Sequence, residues 1–206
     1  MGKTAAVIIA AALALLPRLA WAHHFMDDQL PQTFAQGLLS GLGHPVIGVD
    51  HAAFIVAAGF LLAPIRGGLW GVLALILGSL LGAALHLAGL SLPAGEAAVA
   101  LSVILAGVLV ISARRIALPW MAGGLAVAGL LHGHAYAEAV FGAEPAPLVA
   151  YLVGFSLIQF GVAAAALLAH RRLLSTAGSR VRRISGALGA AVGAIGILFL
   201  AGNGVM

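Results

Sequence analysis

The stretch 69–90, LWGVLALILGSLLGAALHLAGL, contains no Lys, Arg, Asp or Glu. About 20 apolar residues are enough for an α-helix to cross the hydrocarbon core of a bilayer. Five more stretches of similar length and composition occur, so the sequence predicts an all-α membrane protein with six transmembrane helices. The predicted spans are 45–64, 69–90, 93–113, 118–140, 147–169 and 185–205.

The overall composition excludes a water-soluble protein. Hydrophobic residues make up 63% of the chain and charged residues 8%, whereas soluble domains carry about 25% charged residues. The net charge of +4 does not indicate nucleic-acid binding, because the basic residues form short clusters between apolar spans, as in cytoplasmic membrane loops. The sequence has no cysteine, which excludes disulfides and thiolate metal ligands. A metal site would have to use nitrogen and oxygen atoms.

The N-terminal residues have the pattern of a signal peptide. Lys3 is followed by an apolar core over 5–16 and by Ala20-Trp21-Ala22, a small-x-small cleavage site. We therefore predict a signal peptide over 1–22 and a single transmembrane domain over 23–206. An uncleaved first anchor is the alternative.

The charges of the predicted loops give the orientation. If the N-terminus is exported, the loops that follow the second and fourth spans lie outside. These loops carry Glu96 and Glu144 and contain no Lys or Arg. The opposite loops hold the arginines, as the positive-inside rule requires for the cytoplasmic side. These residues are Arg66, Arg114, Arg115, Arg171, Arg172, Arg180, Arg182 and Arg183. The sequence predicts an inner-membrane protein whose mature N-terminus is periplasmic.

A first cluster of ionisable residues lies at the start of the first span, in His44-Pro45-Val46-Ile47-Gly48-Val49-Asp50-His51. Such groups are costly inside a membrane and are therefore candidate functional residues. On a continuous helix His44 and His51 would lie about 10.5 Å apart along the axis, too far to share one ion. Either two sites exist or the backbone is irregular, which Pro45 at a first helical position and Gly48 would favour. Asp50 is a direct ligand or orients an imidazole; the alternative is a buried polar group that only fixes packing.

A second cluster lies near the end of the fourth span. His134 and Glu138 are four residues apart and share a helix face, and such a nitrogen and oxygen pair suits nickel, cobalt, zinc or iron. His132 points elsewhere and is either a ligand or a helix–helix hydrogen-bonding group. Tyr136 is predicted to be an interface anchor.

The remaining histidines have separate interpretations. His86, near the outer end of the second span, is a ligand or a lone core histidine, and His170 beside two arginines is predicted to be solvated. Cleavage after Ala22 would leave His23 and His24 at a free N-terminus, where amine, amide and imidazole nitrogens can chelate nickel or copper in a plane. Mobile terminal residues are the alternative there.

Two motifs resemble the HupE/UreJ family of hydrogenase and urease accessory proteins, which are membrane metal permeases. The first is Gly41-Leu42-Gly43-His44-Pro45-x-x-Gly48-x-Asp50-His51, and the second is His132-Gly133-x-Ala135-x-x-Glu138 with the region that follows it. Many members have His in place of Tyr136, Gly in place of Ala137, and the acidic residue one place later than Glu138. The resemblance implies uptake of nickel or cobalt, with the first motif essential.

We therefore expect a non-enzymatic permease that takes a divalent metal from periplasm to cytoplasm for metalloenzyme maturation. The expected ligands are His44, Asp50, His51, His132, His134, Glu138, His86, His23 and His24. No cofactor is expected beyond the transported nickel or cobalt, with zinc and copper ranked below them. The expected partners are the ion and the lipid bilayer; a homo-oligomer and cytoplasmic metallochaperones are left open. The alternatives are an intramembrane metal-dependent enzyme and a metal-binding accessory subunit without transport activity.

Overall fold

The computed structural model describes residues 30–93, 95–176, 178 and 180–203. Within these ranges the chain forms seven α-helices and no strand. The helices are α1 (Phe34–Ile47), α2 (Val49–Leu62), α3 (Gly68–Leu87), α4 (Gly95–Ser112), α5 (Leu118–Glu138), α6 (Pro145–Thr176) and α7 (Arg180–Asn203). The predicted signal peptide over 1–22 lies outside the described residues.

Several helices can cross a membrane, so the chain is a membrane protein. By length and composition alone, α3, α4, α6 and α7 qualify, and the bent pair α1 and α2 makes up to five if it is one span. The helix α5 is not among them, because its histidines and glycines lower its mean hydropathy. The count of six spans therefore stays a prediction.

The helix boundaries follow the predicted spans closely, with three differences. The helix α7 begins at Arg180, before the predicted start at 185. The first predicted span begins inside α1, which starts well before position 45, at a capping box formed by Thr33 and Gln36. The helix α6 continues to Thr176, past the predicted end at 169. Its added residues include Arg and Leu, which are strong helix formers, whereas the predicted end reflected only the loss of apolar character.

The helix α2 lies at the centre of the bundle, in contact with every other described helix. Its side chains Phe54, Ile55 and Leu62 are almost completely buried. The helices around it pack mainly in pairs: α3 with α5, α4 with α7, and α1 with α6. Because α2 is enclosed, polar groups at its start, Asp50 and His51, are buried as well.

The two ends of the bundle differ in charge. The turn after α2 meets the turn after α4 around Arg114 and Arg115. Arg171 on α6 donates hydrogen bonds to the carbonyl oxygens of Ala63 and Ile65. The predicted cytoplasmic loops thus come together at one end, called here the arginine end. The large outward-facing side chains are apolar, as a lipid-facing surface requires, and Trp70 and Trp120 lie near the arginine end.

Candidate metal centre

The backbone breaks at Gly48, between the two histidines of the first motif. The axes of α1 and α2 differ by 76°, and Gly48 has an extended conformation with φ −65 and ψ 102. As a result the ring centroids of His44 and His51 lie 6.0 Å apart, much closer than on a continuous helix. Of the two arrangements considered from the sequence, the irregular backbone is the one found. Pro45 lies inside the end of α1, so its expected place at a first helical position was wrong.

The first and second polar clusters meet at the core of the bundle. The Nδ1 atoms of His51 and His132 are 2.8 Å apart. The ring of Tyr136 lies 4.5 Å from the ring of His51 and 5.4 Å from that of His44. Tyr136 is completely buried, so the predicted interface anchor was wrong. We call His44, Asp50, His51, His132 and Tyr136 the central cluster.

The hydrogen bonds of Ser102 on α4 assign the proton positions of two histidines. Its single hydroxyl proton is donated to the carbonyl oxygen of Val99 at 2.7 Å, so its Oγ accepts from Nε2–H of His132 at 2.9 Å. The neutral His132 ring then has its lone pair on Nδ1, which accepts from Nδ1–H of His51. His51 consequently carries its own lone pair on Nε2, the atom that can coordinate a cation. Stacking of Phe54 on His132 at 4.3 Å holds the ring in place.

The central cluster contains two buried polar oxygens that lack a hydrogen-bond partner among the described residues. These are Oδ1 of Asp50 and the hydroxyl of Tyr136. Burial of a polar oxygen without a hydrogen-bond partner is costly, and Asp50 lies in the first turn of α2, near the positive end of the helix dipole. A cation beside His51 would give Oδ1 a partner. Imidazole nitrogen and carboxylate oxygen suit divalent nickel, cobalt or zinc.

Three other predicted ligands form a separate group at the end of the bundle opposite the arginine end. One ligand atom from each of His86, His134 and Glu138 lies within 4.8 Å of the other two. His134 also lies 2.8 Å from the carbonyl oxygen of Leu90 through its Nε2. We call these three ligand residues the rim cluster. The structure thus divides the predicted ligand set in two, and the metal-binding role of both groups stays a prediction.

The other histidines lie away from both clusters or outside the described residues. His170 is buried near the arginine end, where Nδ1 is 2.9 Å from the carbonyl oxygen of Phe60 and Nε2 is 3.1 Å from Ser185 Oγ. The prediction of a solvated His170 was therefore wrong. His23 and His24 lie outside the described residues, so the N-terminal chelate stays a prediction.

The sequence reasoning missed Ser102 and the burial of Tyr136. Ser102 is the single polar residue between positions 97 and 111, and an isolated polar group in a span was the signal that could have identified it. Tyr136 lies four residues after His132, which places both on one face of α5. That spacing could have indicated a common environment for the two side chains.

Comparison with known proteins agrees with this combination of motifs and helices. Residues 11–198 match the family described as HupE / UreJ protein. Over 128 residues the chain is 37% identical to "Protein HupE" of Rhizobium leguminosarum bv. viciae, an alignment that covers 61% of this chain and 63% of that protein. No solved structure shows a significant match. Since the family match includes both polar clusters and nearly all described helices, the chain belongs to the HupE/UreJ family.

Proposed function

We propose that this protein carries a divalent transition metal, nickel or cobalt, across the inner membrane into the cytoplasm. His44, Asp50 and His51 form the transport centre, and His132 orients His51. The mature N-terminus is periplasmic and the arginine end is cytoplasmic, in agreement with the positive-inside rule. The imported ion supplies metalloenzyme maturation, and the protein itself has no catalytic activity.

The single observation that carries this proposal is the bend at Gly48 beside a buried, unpaired carboxylate oxygen. The bend brings His44 and His51 to a centroid distance of 6.0 Å, and Oδ1 of Asp50 has no hydrogen-bond partner among the described residues. A site with no ion to receive would hold this carboxylate at a cost. A permeating divalent cation explains why two imidazoles and a carboxylate gather inside an apolar bundle.

The membrane potential can drive such uptake. Each charge that crosses gains about 2.3 kcal/mol per 100 mV, so a doubly charged ion gains roughly 4.6 kcal/mol per 100 mV. A negative interior therefore favours import, and binding by cytoplasmic metallochaperones would keep the free ion low.

Uptake by purified protein in liposomes tests the proposal. Radiolabelled nickel or cobalt should enter liposomes that contain the protein faster than protein-free liposomes, and an inside-negative potential should increase the rate. Asp50→Asn keeps the side-chain volume but removes the charge, and His51→Ala removes the coordinating ring; both should abolish uptake. Glu144→Gln, at an exposed position outside both clusters, is the matched control and should retain it.

Two results would contradict the proposal in different ways. Ion binding without entry into liposomes would identify an accessory binding subunit. Normal entry with both Asp50→Asn and His51→Ala would leave transport intact and refute the assignment of the centre.

A further inference from the structure

We propose that the rim cluster is a second binding site for a divalent transition metal, independent of the central cluster. Its ligands are the imidazoles of His86 and His134 and the carboxylate of Glu138. The proposal rests on the proposed function only in the choice of metal, since the site is defined by its own residues.

The three ligand atoms are almost at the spacing that one ion imposes. With metal–ligand bonds of 2.0–2.2 Å, the ligand atoms of a tetrahedral site lie roughly 3 to 4 Å from one another. Nδ1 of His86 and Nε2 of His134 are 3.3 Å apart, and all three ligand atoms lie within 4.8 Å. Glu138, which is exposed at the end of α5, is the least enclosed of the three ligands.

Close contact between two helix backbones creates this geometry. A Cβ atom at Gly82 on α3 would overlap the backbone of Leu130 on α5, and a Cβ at Gly133 would overlap the backbone of Ser79. Small residues therefore let the two helices touch, as in other membrane helix pairs. His86 is one helical turn after Gly82, so the close approach of the two helices also brings the His86 ring against that of His134. The ring centroids are 4.4 Å apart.

The rim cluster is separate from the central cluster because the two use different faces of α5. Residues two positions apart on a helix point about 200° away from each other. His132 contacts His51 and Ser102, whereas His134 contacts His86 and the Leu90 carbonyl. One ion cannot be shared by both clusters without rotation of the helix, so each would hold its own.

The surroundings permit an ion to enter and leave. His86 lines an open cavity of about 260 Å³ together with Gly89, Leu90, Ser91 and Phe141. His86 is half-buried and His134 is buried. Three protein ligands beside a water-accessible space leave a coordination position for water, as in metal sites that exchange their ligands. Two nitrogens and one oxygen select nickel, cobalt or zinc over magnesium or calcium.

Metal binding requires a particular tautomer of His134. Nε2–H of the ring donates to the Leu90 carbonyl oxygen at 2.8 Å, so a metal at Nε2 would need this proton on Nδ1 instead.

Counting bound ions tests the proposal. The purified full chain is dialysed against cobalt(II) chloride, and the cobalt bound per chain is measured by mass spectrometry. Glu138→Gln should bind one ion fewer than the unsubstituted protein, and so should His86→Gln. Glu144→Gln, which changes another exposed carboxylate at the same end, should bind the full number.

The same measurement separates this site from the transport centre. Asp50→Asn should also lose one ion, and the double variant Asp50→Asn with Glu138→Gln should lose two. No loss with Glu138→Gln and His86→Gln would overturn the proposal, and so would a double variant that loses one ion although each single variant also loses one. Loss with Glu138→Gln but none with Asp50→Asn would support the rim site and refute the central one.

Discussion

Removal of the Ser102 hydroxyl should weaken metal binding at the central cluster, although Ser102 is not one of the proposed ligands. Its Oγ accepts the Nε2 proton of His132, and this fixes the lone pair of His51 on Nε2. In Ser102→Ala the Nε2 proton of the buried His132 ring has no acceptor. The histidine pair then favours the reverse arrangement, in which Nδ1–H of His132 donates to His51 and the His51 proton occupies Nε2, where it blocks the ion.

The cost of an unpaired buried donor gives the size of this effect. A buried donor left without its partner costs about 1–3 kcal/mol. Because 1.4 kcal/mol corresponds to a tenfold change in a dissociation constant, the affinity should fall about 5- to 150-fold. This agrees with the 10- to 100-fold loss that is typical when the partner orienting a metal-bound histidine is removed.

The assay is cobalt(II) titration of purified protein, with uptake into liposomes as a second measurement. Ser156→Ala is the matched control, because the Ser156 hydroxyl also donates to a carbonyl of its own helix, at 2.8 Å. Among the described residues it makes no hydrogen bond to either cluster. It should bind cobalt with unchanged affinity. Equal affinity in Ser102→Ala and Ser156→Ala would refute the proton arrangement derived for His51 and His132.

Three further substitutions test other parts of the structure. Gly48→Ala should fold normally but lose most uptake, because the new Cβ would lie 2.7 Å from Cδ2 of His51 and would displace the adjacent Nε2; unchanged uptake would contradict this. Gly133→Ala should lower the free energy of unfolding by about 1–3 kcal/mol, as measured by circular dichroism in detergent, whereas Gly123→Ala should not, since no atom lies near a Cβ there. Tyr136→Phe should raise the free energy of unfolding by about 1 kcal/mol, because it removes a buried hydroxyl that has no hydrogen-bond partner among the described residues; a loss of stability would show that this hydroxyl has a partner.

The sequence alone was sufficient for the membrane class and for most helix boundaries. Apolar runs of bilayer length and the spacing of the arginine clusters are local properties, so they can be read without knowledge of packing. The sequence also predicted a break near Gly48 as one of two arrangements, since His44 and His51 are too far apart on a regular helix to share an ion. Periodicity likewise indicated that His132 and His134 point in different directions.

Only the tertiary structure decided which faces of the helices meet. The sequence predicted a single ligand set, but the position of a residue along its span does not determine the neighbours of the helix. Glycine contacts between α3 and α5 bring His134 to His86, while the central position of α2 brings His51 to His132 and buries Tyr136. Helix pairing in a membrane depends on close backbone packing along the whole length of two helices. A local sequence pattern therefore does not predict which helices pair. The division into a central cluster and a rim cluster therefore follows from the packed bundle.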